Sequence, residues 1–136
     1  MSDLYAVDLA LNLRDSVPPA VLADLRWHLG EERRAEDEEL DVYPLLASRG
    51  PAVRIGGVRM AELARTANGW ALTVRYEIHA EGMPDFDSLV ERLAWHSDTE
   101  GPIGQIRFYE EDVPEMLINR SGTLIRLPLA PKSTPQ

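Results

Sequence analysis

The side chains of this chain best suited to chemistry sit two apart on alternating stretches. From Trp70 to His79 the alternation is unbroken: Trp70, Leu72, Val74, Tyr76 and Ile78 fall on one side, Ala71, Thr73, Arg75, Glu77 and His79 on the other. Successive side chains of a strand leave opposite faces of the pleat, so this pattern predicts a half-buried strand. Its polar side holds the two candidate general bases, His79 and Glu77. Arg75 on the same side, with Arg107 on the stretch Ile103–Glu110, could hold an anionic substrate. Asp8 and Asn12, from a further alternating stretch, and Tyr109 join Arg75 and Arg107 in a candidate ligand-binding set if these strands adjoin. Enclosure of that set between two packed sheet faces would perturb its pKa values. A solvated sheet face with cross-strand ion pairs, each worth about 0.2–1 kcal/mol, has the same pattern.

Other chemistry finds no support. There is no cysteine, and no pair of histidines at ligand spacing, so no metal site is expected. The serine-hydrolase, phosphate-loop and dinucleotide motifs are absent, and no cofactor is expected. Gly101-Pro102-Ile103-Gly104 places its glycines at the start of a strand and not between strand and helix, so it is no phosphate loop. The acidic run Glu36–Glu39 lacks the Asp/Asn–Gly pattern of a calcium loop. Whether the chain is an enzyme stays open at this level.

The elements that must position these groups read as follows. Leu4–Arg14 alternates and predicts a first strand. Ser16 is a candidate cap for a helix carrying Val21, Leu22, Leu25 and Leu29 on one stripe, with Gly30 as its stop. Residues 31–57 form an irregular acidic insertion, with a short strand expected at Val53–Ile55. Val58–Thr66 follows as a strand, and Asn68-Gly69 predicts a tight hairpin into the Trp70–His79 strand. Phe86, Leu89, Val90, Leu93 and Ala94 mark a second helix. Ile103–Glu110 and Thr123–Leu127 close the list of strands, and the tail 128–136 is expected to be flexible.

This order, strand–helix–strand–strand–helix–strand, predicts an α+β ferredoxin-like split βαβ sandwich (βαββαβ) with the insertion after the first helix and an extra C-terminal strand. Leu25-Arg26-Trp27-His28 recurs in part as Leu93-Ala94-Trp95-His96, consistent with two related halves. Both histidines suit helix-end stabilisation. Trp27 and Trp95 fall off the apolar stripes and are expected to cover a loop or a subunit contact.

With 136 residues the chain is expected to be a single domain, 1–136. A net charge of −9 argues against binding nucleic acid or an anionic membrane surface, since both require exposed cations. It suits solubility, or attraction to a basic protein partner. There is no apolar run of membrane-spanning length and no secretory pattern at the N-terminus, and a cytoplasmic location is expected.

Leu25-Arg26-Trp27-His28-Leu29-Gly30, Trp70-Ala71-Leu72-Thr73 and Ile106-Arg107-Phe108-Tyr109-Glu110 together resemble a group of small uncharacterised actinobacterial proteins. The likeness spans most of the length. It implies a bacterial cytosolic setting and carries no catalytic residue over. The function expected is binding of a protein partner or small ligand. Alternatives are a cofactor-independent enzyme of the dimeric α/β-barrel kind that uses the polar sheet face, and an acidic inhibitor acting on a basic partner through Glu31–Asp41. A homodimer is among the expected partners under the binding reading, and the first of these alternatives requires one.

Overall fold

The computed structural model describes residues 3–31 and 44–129. In chain order the elements are β1 (Leu4–Arg14), α1 (Pro19–His28), β2 (Gly50–Pro51), β3 (Val58–Thr66), β4 (Gly69–His79), a single 3-10 turn (Ala80–Gly82), α2 (Met83–Trp95), β5 (Gly101–Phe108), β6 (Glu115–Arg120) and β7 (Thr123–Pro128). All seven strands join one antiparallel sheet in the order β2-β3-β4-β1-β5-β6-β7.

Strand β1 is the middle of this sheet. It pairs with β4 along its whole length, from Leu4↔His79 to Arg14↔Gly69. On its other edge only Tyr5–Leu9 pairs, with Phe108–Gly104 of β5. Beyond Leu9 the segment after α2 takes over that edge. The Arg14 N–H donates to the His96 carbonyl, the Asp98 N–H donates to the Asn12 carbonyl, and the Asn12 N–H donates to Thr99 Oγ1. Two glycines permit the close packing around β1. A Cβ on Gly104 would lie 2.2 Å from the Asp8 carbonyl oxygen, and one on Gly69 would lie 2.0 Å from that of Leu13.

Alternation assigns the faces. Val7, Leu9, Leu11, Leu72, Val74, Tyr76, Ile78 and Ile106 enter one buried cluster with Leu25 and Leu29 beside α1 and with Phe86, Leu89, Val90, Leu93 and Ala94 of α2. The apolar stripe of α2 is buried in full, whereas in α1 Val21 and Leu22 are only partly buried. The opposite face of the sheet is uncovered over much of its area: Ala10, Asn12, Glu62, Ala64 and Thr73 are exposed.

Several expectations are corrected. The chain is not a ferredoxin-like α+β sandwich. It is mostly an antiparallel sheet of seven strands with two helices of 10 and 13 residues. Element order alone missed the extent of the sheet, because β2 is only two residues long and Val113–Asn119 gave no clear period. β2 on one side, and the β6–β7 hairpin on the other, carry the sheet beyond any four-stranded βαββαβ count. The hairpin expected at Asn68-Gly69 turns one residue earlier, because Gly69 is already paired with Thr66 at the start of β4. Val53–Ile55 is a bend and not a strand; β2 lies at Gly50–Pro51. Helix α1 starts at Pro19 with Pro18 in the capping position and no side-chain cap, so Ser16 does not serve. The two Trp-His pairs end both helices but in unlike surroundings, with Trp27 buried and Trp95 65% exposed. The acidic residues 32–43 and the tail 130–136 lie outside the described residues.

Gly104→Ala forces backbone apart at the centre of the sheet and should cost about 1–3 kcal/mol, as overpacking does. Gly50→Ala, where an added Cβ meets nothing within 4 Å, should cost less than Gly104→Ala despite its positive φ. Urea unfolding of both variants checks the order.

Candidate functional site

The strands that carry the expected polar set do adjoin. Asp8 is in register with Arg75 on β4 and with Gln105 on β5, and Ala6 stands between Glu77 and Arg107. Most of these side chains, however, are engaged by the chain itself.

Glu77 is the clearest case. It is buried on the otherwise open face, beneath residues 52–57, which cross over it. Its carboxylate accepts the N–H of Val53 at 2.7 Å, that of Ile55 at 3.1 Å, and that of Arg54 between them. Three successive N–H groups converging on one anion form a backbone nest. Burial by itself would raise the Glu77 carboxyl, but the three N–H donors and the nearby Arg59 outweigh it and hold it below its ordinary value of 4.5. A carboxylate held this way is a poor proton acceptor.

Arg75 grips the same segment from the other side, donating to the Val58 carbonyl at 2.9 Å and the Ile55 carbonyl at 3.3 Å. Arg54 stacks over the Tyr109 ring at 5.4 Å. Hydrogen bonding to Glu110 raises the Tyr109 hydroxyl above its ordinary value, which keeps it neutral. Arg107 donates to the carbonyls of Phe108, Tyr109 and Glu111 and so closes the turn after β5. Asp8 accepts from Gln105 at 3.3 Å. Asn12 is exposed, and its backbone carries the connection from α2. His79 is exposed at the end of β4 and lines a cavity of about 450 Å³ with Glu77, Arg59, Tyr76 and Ser48. The Ser48 N–H donates to the Tyr76 hydroxyl at 2.6 Å, which ties residue 48 to the sheet.

The tryptophan–histidine pairs divide in role. His28 is buried, and its Nδ1 accepts the Leu45 N–H at 3.2 Å while its carbonyl accepts that of Leu46. With Nδ1 accepting, the neutral ring carries its proton on Nε2, which faces Asp24 Oδ1 at 4.0 Å. Trp27 packs edge-on against that ring. Trp95 stands on the surface beside Gly122. Among the described residues no group of three or more His, Asp or Glu side chains is arranged to hold a metal ion.

A wider groove lies elsewhere, and the sequence pattern did not show it. A groove of about 890 Å³ runs between α2 and the far end of the sheet. Its apolar lining comes from Tyr5, Met83, Ile106, Phe108, Val113 and Leu129, with Tyr5 and Phe108 packed at 5.4 Å. Around these stand Asp3, Asp87, Glu111, Asp112 and Glu115 against a single cation, Arg126. Arg126 is spent within the fold: it pairs with Asp87 of α2 at 2.9 Å and donates to Glu115 of β6 at 2.8 Å. Burial would lower its guanidinium, but the two carboxylates outweigh that and raise it. Asp3, Glu111 and Asp112 make no ion pair among the described residues. The carboxylates come from three separate parts of the chain, Asp3, Asp87 and the stretch Glu111–Glu115, so no one local motif announces the whole set.

Because Glu77 is lowered in the folded chain, its contribution to stability is fully present above the unfolded value near 4.5 and is lost as pH falls through the folded value. Glu77→Gln turns an amide donor toward the 53–55 N–H groups and should cost about 1–3 kcal/mol at neutral pH. Denaturant unfolding across pH should show that gap closing in acid; a gap of constant size would remove the charge from the account.

No family model matches this chain, and neither a curated protein nor a solved structure does.

Proposed function

We propose that this protein works by binding, and that the groove beside α2 receives a basic, partly apolar segment of a partner protein. The observation that carries this reading is an aromatic floor ringed by five carboxylates and one arginine that the fold already neutralises. A lysine or arginine stem can lie along Phe108 and Tyr5 while its charged head meets Asp3, Glu111 or Asp112. The volume is within the range of about 300–1,000 Å³ that ligand pockets occupy. The chain's net charge of −9 would draw such a segment in from a distance.

The enzyme alternative has less support, because both oxygens of Glu77 are taken by backbone N–H groups and Arg75 and Arg107 are bound to carbonyls. The inhibitor alternative drew on Glu31–Asp41, nearly all of which falls outside the described residues; the basic partner it called for suits the groove. A cytoplasmic setting agrees with the lack of cysteine. No helix among the described residues is long and apolar enough to cross a membrane.

A short peptide of alternating lysine and leucine, titrated calorimetrically, tests the reading. It should bind, and a glutamate–leucine peptide of equal length should not. Affinity should fall steeply toward about 1 M salt, where the Debye length is about 3 Å. Glu111→Gln with Asp112→Asn should weaken binding by about tenfold, or about 1.4 kcal/mol. Equal binding of the two peptides, or indifference to salt, would overturn it.

A further inference from the structure

We infer that the open face of the sheet, on the side away from the groove, is the contact surface for a second copy of this chain.

The register places Met60, Arg75, Asp8, Gln105, Met116 and Leu127 in one row across six strands. Beside it Pro102, Ile118 and Ile125 form a shorter row on the same face. The β6–β7 hairpin is therefore apolar on both sides. Leu117 and Leu124 face the core, while Met116, Ile118, Ile125 and Leu127 face the other way, the first three half-buried and Leu127 46% exposed. Strands that are apolar on both faces are characteristic of sheets covered on both faces. Among the described residues, the core face of this hairpin is the one that is covered.

Charge selects the occupant. The open face carries Arg14, Arg75, Arg107 and Arg120 against Asp8, Glu62 and Glu77, a balance of +1, while the described residues together hold 17 Asp and Glu against 11 Arg. The other described surfaces hold that excess negative charge. Two copies approaching by any of those would repel, and here they would not. In a two-fold contact each residue of the patch meets the patch of the other copy, so one neutral apolar surface completes the interface. With strands about 4.8 Å apart and about 3.3 Å per residue, β4 to β7 present roughly 24 by 20 Å over the length of the six-residue β6 and β7, part of it under residues 52–57. That lies below the ~800 Å² per partner of an ordinary stable interface, at the size of a small, concentration-dependent contact. Residues 52–57 cap one end of the face, away from the hairpin.

Sedimentation velocity over a concentration series reads the association directly. The native chain should sediment at twice the chain mass. Ile125→Glu and, separately, Leu127→Glu should each weaken dimerisation by at least about tenfold. Far-UV circular dichroism should report an unchanged fold, and binding of the lysine–leucine peptide should persist. Trp95→Ser, which removes the most exposed aromatic on another surface, should leave the dimer intact. A native chain that stays monomeric to its solubility limit would overturn the inference. So would a dimer that dissociates with Trp95→Ser and survives both glutamate substitutions.

Discussion

The structure depends on how closely the backbone packs around β1. That strand has neighbours on both edges, and at two positions an adjoining residue comes so near its carbonyls that only glycine fits, at Gly69 and Gly104. Antiparallel register then decides every face, since a slip of one residue would exchange core and surface side chains. With Val7, Leu9 and Leu11 turned toward the helices, Leu72, Val74 and Tyr76 must follow, and so must Ile106. Asp8, Arg75 and Gln105 are carried to the other side by the same constraint.

What those polar groups do there is largely internal. A carboxylate removed from water needs donors, and residues 53–55 supply three that would otherwise be without partners at a bend. Glu77 and Arg75 thus hold the segment between β2 and β3 by its N–H and carbonyl groups respectively, and Arg54 extends the grip to Tyr109. This arrangement buries Leu4 and Ala6 on a face that would otherwise be open. A residue type fitted for catalysis here serves to fix a loop.

The groove and the apolar patch lie on opposite sides of the same hairpin. On one side β6 and β7 contribute Glu115, Arg126 and Pro128 to the groove; on the other, Met116, Ile125 and Leu127 form the apolar patch. Arg126 joins α2 to that hairpin and sets the groove's width. Charge is divided in the same way, with carboxylates gathered at the groove and near-neutrality on the open face. A dimer formed through the open face would leave both grooves accessible.

The sequence by itself determined the elements with strong periods. The bounds of Leu4–Arg14, the course of Trp70–His79 within β4 and the buried stripe of α2 follow from alternation or helical spacing, which act over a few residues; that β1 and β4 adjoin, and with them Asp8 and Arg75, does not. Tertiary structure alone decided the rest. The extent of the sheet rests on β2 and β6, whose stability comes from neighbouring strands and not from local pattern, whereas β7 was legible as Thr123–Leu127. The fate of Glu77 was set by N–H groups 22 to 24 residues away. The groove was assembled from Asp3, Asp87 and the stretch Glu111–Glu115, parts of the chain that only folding brings together, because electrostatic fields and concave surfaces depend on distance in space and not on position along the chain.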